Sequence, residues 1–489
     1  MTCLCSGLAV GWQGCQAVLQ ADMLIRHSLF YLLSRLVSVG VTFISLWLFS
    51  RLVAPDDFGF YVTVMGLATL ANIGLFQWLR ITVLRLAADH ASPREVQQTG
   101  WALLLLIMLL TAPLLLLELV LASTSWHGVA AGALGVSWAM AGAEYALELL
   151  RGALRPRAYL LFSMLRDVLL LALALLLFGY LPPAYALVLA QMGASLIPLL
   201  LWLPQLGWPR PCLNRQLITQ MLHYGLPLLG LYLLGSLLAN TDRLLLPWLA
   251  GAADTGLYGA ASGIARQSLF ALLQAVNLAA FPLALMAHRA GDQAQLKQQL
   301  LRNITLLLLL GVPAAAGLMV LAPAISQTVL GHAYAGAAAH LLPLLALGTL
   351  LMSVRVFYTD HAFQLARDTR TPMRVLAGAC LLTLPLSAVL IHKAGLAGAL
   401  YATLLGFALS LGLSIYMGRT RLQLPWPRRD ALAILFATLV MAILLWPLRA
   451  AAGWGPLILT IAFGSVIYAS LILAFNVMNL RAELRGYLK

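Results

Sequence analysis

The stretch RLVAPDDFGFY, residues 51–61, lies between two apolar runs that are each long enough to cross a bilayer. It has an echo in RLLLPWLAGAADTGLY, residues 243–258. Arg51, Leu52 and Pro55 recur at Arg243, Leu244 and Pro247, displaced by 192 residues, and Gly59 and Tyr61 recur at Gly256 and Tyr258, displaced by 197. A second echo supports the first. Glu144, Arg151 and Pro156 follow the same spacing as Asp360, Arg367 and Pro372, displaced by 216. Two ordered matches at equivalent places in a six-span unit imply that the chain is built twice. An even number of spans per unit keeps both copies in one orientation, so the repeats are parallel and related by an axis along the membrane normal.

The class follows from composition. Of the 489 residues 62% are hydrophobic and 9% charged, more apolar side chain than a water-soluble core can bury. A span needs about 20 apolar residues, and that rule predicts fourteen helices near 29–50, 58–79, 100–122, 128–150, 159–181, 183–204, 225–249, 256–287, 303–323, 336–363, 375–392, 395–417, 431–447 and 456–477. The fold class is therefore an all-α polytopic membrane protein with two six-helix lobes and two added C-terminal helices. Residues 23–223 form the N-lobe, 224–429 the C-lobe, and 430–489 the last two spans and a tail.

A formal charge of +14 would suggest a nucleic-acid partner in a soluble protein. Here the placement of the basic residues gives another reading. Of 30 Lys and Arg, 22 fall on the even-to-odd and terminal side, and only Arg51, Lys393 and Arg449 on the other. This asymmetry puts both termini in the cytoplasm and assigns the charge to topology and membrane lipid rather than nucleic acid. Residues 1–22 lack the basic start of a signal peptide, and the reading favours translation from Met23. Cys3 and Cys5 have no further ligand at metal spacing, and Cys212 and Cys380 read as packing residues.

The motifs RLVAPDDFGFYVTV, YGLPLLGLYLLGSLLANTDRLLLPWLAGAADTGLYGAA and KAGLAGALYATLLG resemble the polysaccharide transporter branch, including O-antigen flippases, of the multidrug/oligosaccharidyl-lipid/polysaccharide exporter superfamily. The resemblance covers nearly all of residues 23–480. It implies translocation of an undecaprenyl-pyrophosphate-linked oligosaccharide between the leaflets of a bacterial inner membrane by alternating access, with a polysaccharide polymerase as a further partner.

Charges inside spans carry the site expectations, because an ion at mid-bilayer costs about 2.5–3.5 kcal/mol on insertion scales. Arg35 and Arg266 have no acid within one turn, and Arg243 follows Asp242, whose side chain projects about 100° away. These three arginines are the expected substrate site, since a guanidinium gives two charge-assisted hydrogen bonds to phosphate oxygens. Glu144, Glu148, Arg166 and Asp167 read as an ion-pair cluster. With Asp242 and Asp360 they are the expected structural pairs or ion-coupling groups, and Arg355 is the fifth arginine placed inside a span. A drug exporter for cations would favour cavity carboxylates, and a lipid II flippase would share the arginine chemistry. A membrane glycosyltransferase or O-antigen polymerase would need a sizeable outer loop, whereas the longest outer connection, about residues 324–335, holds no acid or base except His332. Neither HExxH nor a Walker A sequence occurs, so no catalytic residue, metal or cofactor is expected.

Overall fold

The computed structural model describes residues 37–89, 92–121, 128–207, 212–479 and 481, and no described residue lies in a strand. Eleven continuous helices are long and apolar enough to cross a membrane. One of them, Arg370–Gly418, turns back at Gly395 (φ +52°) and supplies two spans. The shorter Val37–Leu52 and the helix Val129–Gly152 bring the number to fourteen.

In chain order α1 is Val37–Leu52, and α2 runs Pro55–Asn72, through a π-turn Ile73–Gln77, to Trp78–Asp89. Then come α3 (Pro93–Leu121), α4 (Val129–Gly152), α5 (Pro156–Leu177), α6 (Pro183–Leu206) and α7 (Arg215–Leu249). Helix α8 runs Ala252–Ala265, through a π-turn Arg266–Phe270, to Ala271–Arg289. Helix α9 is Gln293–Val320, and α10 is His332–Val354 continued by a π-turn Arg355–Thr359 and His361–Leu365. Helices α11 (370–394) and α12 (396–418) flank Gly395, and α13 (Arg428–Leu445) and α14 (Trp454–Ala474) close the chain.

Local chemistry sets many of these boundaries. Pro55, Pro156 and Pro183 open their helices, where the missing amide hydrogen is not needed. Asn214 caps α7 by accepting from the amides of Gln216 and Leu217 at 2.9 and 3.3 Å, and Asp292 caps α9 through Gln295. The α11–α12 turn needs its glycines. Gly395 takes a backbone conformation that costs other residues, and a Cβ on Gly398 would lie 2.0 Å from the Leu390 carbonyl oxygen.

Helices α1–α6 and α7–α12 form two bundles that meet where α2 packs against both α7 and α8, while α13 packs on α9 outside both. The α2–α8 crossing is made by the duplicated glycines. A Cβ on Gly59 would lie 1.8 Å from the Ala252 carbonyl oxygen, and one on Gly256 would lie 2.1 Å from that of Pro55. Backbone therefore touches backbone at the pseudo-twofold axis. The same end is tied at α1. Arg51 donates to the carbonyls of Val329 and Thr328 at 2.9 and 3.0 Å, Tyr334 donates to Val53 at 2.9 Å, and the Gly331 amide donates to Ser50 at 3.0 Å.

The structure corrects part of the repeat register. Gly59 and Gly256 are equivalent, but Pro55 opens α2 whereas Pro247 lies inside α7, so the 192-residue match of Arg51 with Arg243 is not a structural one. Helix α2 also continues to Asp89, which puts Arg80 in the bundle rather than in a connection. Cys380 is buried as expected, whereas Cys212 is exposed and packs no core.

Candidate functional site

Two chambers that share lining residues lie between the bundles, called outer for the one beside the α2–α8 crossing and inner for the other. The outer one, about 220 Å³, is lined by α1, α2, α5, α7 and α8 and includes Tyr61, Asp167 and Arg243. The inner one, about 470 Å³, is lined by α1 and α8 and includes Ser38, Arg266 and Gln274. Phe43 and Gln267 line both.

Arg266 owes its position to two backbone departures. Helix α7 breaks at Asn240 (φ −128°, ψ 15°), and the Arg266 guanidinium donates to the Ala239 carbonyl beside the break and, at 3.4 Å, to the Asn240 Oδ1. The π-turn that begins at Arg266 adds a residue to that turn of α8, a device common where a helix presents functional side chains. Arg243 reaches the outer chamber from α7. It donates weakly to Ser262 at 3.4 Å, and its buried Nε has no partner. Among the described residues no carboxylate forms an ion pair with Arg243 or Arg266. A guanidinium has five donors, so both arginines keep hydrogen-bonding capacity for an anion in the cavity.

The acids are distributed differently. Glu144 pairs with Arg80 and accepts from Asn72 at 3.0 Å, and Glu148 pairs with Arg151 at 2.6 Å. The expected four-residue cluster is therefore divided, because the inward extension of α2 brings Arg80 to Glu144. Asp167 faces the outer chamber, where it accepts from Ser38 and approaches Arg166 at 3.4 Å. Asp360 pairs with Arg355 at 3.3 Å and accepts from Ser414 at 2.8 Å. Asp242 accepts the backbone amide of Arg243 at 2.9 Å, yet its side chain lies in a separate small pocket with Tyr258, Thr403 and Arg266. Arg35 lies outside the described residues.

Sequence reasoning missed Arg80, Asn240, Gln267 and Gln274. The polar residues of ARQSLFALLQAVN in an apolar span were the available signal for the two glutamines. The α7 break has no comparable mark, because Asn240 sits in an otherwise regular helical sequence. A third apolar groove of about 470 Å³ lies away from the axis between α8, α9, α13 and α14, and includes Leu309, Gly317, Met441, Ile461 and Tyr468.

Residues 149–339 match the family described as "Polysaccharide biosynthesis protein". The chain is 22% identical over 461 residues to the probable low-salt glycan biosynthesis flippase Agl15 of Haloferax volcanii, covering 93% of this chain and 96% of that one. Its fold is similar to that of the lipid II flippase MurJ in an inward closed conformation, with a TM-score of 0.74 at 12% identity over 92% of this chain and 99% of MurJ. It is also similar to an inward-facing multidrug resistance MATE family transporter of the MOP superfamily, with a TM-score of 0.57 at 18% identity over 78% and 94% of the two chains. This all-helical membrane protein thus resembles the polysaccharide branch of the multidrug/oligosaccharidyl-lipid/polysaccharide exporter superfamily in sequence and shares that superfamily's fold.

Proposed function

We propose that the protein moves a polyprenyl-pyrophosphate-linked oligosaccharide, of the undecaprenyl class used for O-antigen, capsule or exopolysaccharide, from the cytoplasmic to the periplasmic leaflet of the inner membrane. The observation that carries this reading is the pair of cavity arginines, Arg243 and Arg266, neither of which forms an ion pair with a carboxylate among the described residues. A pyrophosphate leaving water needs charge-assisted donors, and planar guanidinium groups supply them in pairs. The cavity carboxylate that a cation exporter would use, Asp167, is already engaged by Ser38 and Arg166. With both termini in the cytoplasm, the α2–α8 crossing closes the periplasmic end and the described state is loaded from inside. The apolar groove beside α13 and α14 would hold the polyprenyl chain.

The test is Arg266→Ala in cells that depend on this protein for surface glycan. Loss of glycan is expected at normal protein abundance, with lipid-linked oligosaccharide accumulating on the cytoplasmic side and partial recovery in Arg266→Lys. Normal glycan at normal abundance would overturn the assignment. A fall in protein level together with glycan would instead make Arg266 structural, because removing one partner of a buried network costs several kcal/mol, about 3–5 for an ion pair. Since a lipid II flippase would use the same phosphate chemistry, rescue of cells lacking their own lipid II flippase would favour lipid II as the substrate.

A further inference from the structure

The inner chamber holds two neutral amides that the phosphate site does not use. Gln267 lines both chambers and Gln274 lines the inner one. They are seven residues apart on α8, about two turns or 10 Å. Neither has a protein hydrogen-bond partner among the described residues, and both are half-buried. Around them the wall is mostly apolar, with Phe43, Phe270, Leu272 and Ala275, and among the described residues Arg266 is the one charged lining group. An ionic ligand therefore meets its counter-charge at Arg266, and whatever lies inward of it meets two amides and apolar faces.

Resting on the function proposed above, we propose that Gln267 and Gln274 form a glycosyl-reading subsite beside the pyrophosphate site. A primary amide offers two donors and a carbonyl acceptor, a match for sugar hydroxyls, each of which both donates and accepts. The apolar walls suit the C–H faces of a pyranose ring. Gln267, next to Arg266 in the chain and lining both chambers, reads the sugar attached to the pyrophosphate. Gln274, two turns further in, reads the next part of the glycan.

The experiment measures equilibrium binding of the purified full chain in detergent to three probes. These are undecaprenyl pyrophosphate, the same lipid bearing one N-acetylglucosamine, and the same lipid bearing one galactose. The parent is expected to bind at least one glycosylated probe about tenfold more tightly than the bare lipid. Each Gln→Met replacement, which keeps side-chain length and removes the amide, should cost about fivefold toward that probe. Gln267→Met/Gln274→Met should erase the preference and leave bare-lipid affinity unchanged, which also shows that the variant is folded. Arg266→Ala should weaken all three probes by the same factor. Equal affinity of the parent for the three lipids, or a preference that survives in the double variant, would overturn the subsite while leaving the phosphate reading intact. A parent that binds none of them would overturn both.

Discussion

The α2–α8 crossing gives a sharp test of alternating access, because closure of that end depends on two hydrogen atoms where any other residue has carbon. Consider Gly59→Ala. The added methyl would sit 1.8 Å from the Ala252 carbonyl oxygen and 2.6 Å from its carbon, whereas ordinary contact begins near 3.4 Å. Both neighbours are backbone, so no rotamer change relieves the clash, and the helices must separate by roughly 1.6 Å at this point. Overpacking of this kind costs about 1–3 kcal/mol. The cost falls on the closed state alone, since helices that have parted have room for the methyl. The open-to-closed ratio at the outer end should therefore rise by about 5- to 150-fold. Gly256→Ala should act alike through Pro55, at 2.1 Å.

Spin labels at Asp56 and Leu249, both exposed and one on each bundle, would report the change as a population at longer distance in pulsed electron resonance. Transport should fall as well, because a state loaded from inside becomes scarce. Distance distributions in both glycine variants that match the parent's would refute the claim that this crossing seals the outer end.

Three other outcomes follow from named contacts. Arg51→Ala removes two interlobe hydrogen bonds and the stacking of the guanidinium on Trp47 at 4.5 Å, so it should shift the same distances in the same direction, by less than either glycine variant. Asp368 lies in the α10–α11 connection, where the Thr371 hydroxyl, at 2.6 Å, then backbone amides and Arg421 hold its carboxyl below the ordinary value of 3.8. A depressed carboxylate stabilises the fold above the unfolded value and loses that contribution as pH falls through the folded one. Asp368→Ala should therefore lower thermal stability at neutral pH by about 1 kcal/mol, and the difference from the parent should vanish as pH drops below the carboxylate range. Gly317→Leu, at a groove position with no atom within 4 Å of the new Cβ, should obstruct the α13–α14 groove. Reconstituted translocation of an undecaprenyl substrate should drop while that of a short-chain analogue is retained; equal loss of both would remove the tail-binding role.

What was legible in the sequence tracks what lipid dictates. Span number follows from hydrophobic length, and the duplication was visible at Gly59 and Gly256 because close backbone contact admits no substitute there. Arg243 and Arg266 stood out because unpaired charge in a span is expensive. The Arg80–Glu144 pair was hidden by the length rule itself. That rule ended the second span at residue 79, while α2 runs on to Asp89 inside protein, where polar residues can be paired. The break at Asn240 and the π-turns in α2, α8 and α10 arise from packing between helices, which no local propensity encodes. The α11–α12 turn was placed correctly between residues 392 and 395, since Gly395 marks it directly.

The duplication has been kept where it lies on the axis and lost where it lies off it. At the 197-residue displacement of the crossing glycines, Arg243 corresponds to Leu46 and Arg266 to Thr69. Both cavity arginines among the described residues thus belong to one bundle, while the N-lobe contributes Asp167 and aromatic wall. Their π-turns are also out of step. The one in α2 begins fourteen residues beyond Gly59, and the one in α8 ten beyond Gly256, a difference of about one turn. A gate opened by rotating two bundles needs the same small residue on both faces of the contact, because each copy is the other's neighbour. A polyprenyl-linked glycan has no twofold symmetry, so nothing holds the two copies of the cavity wall alike. The C-lobe can then carry Arg243 and Arg266 while the N-lobe presents a different wall to the same cavity.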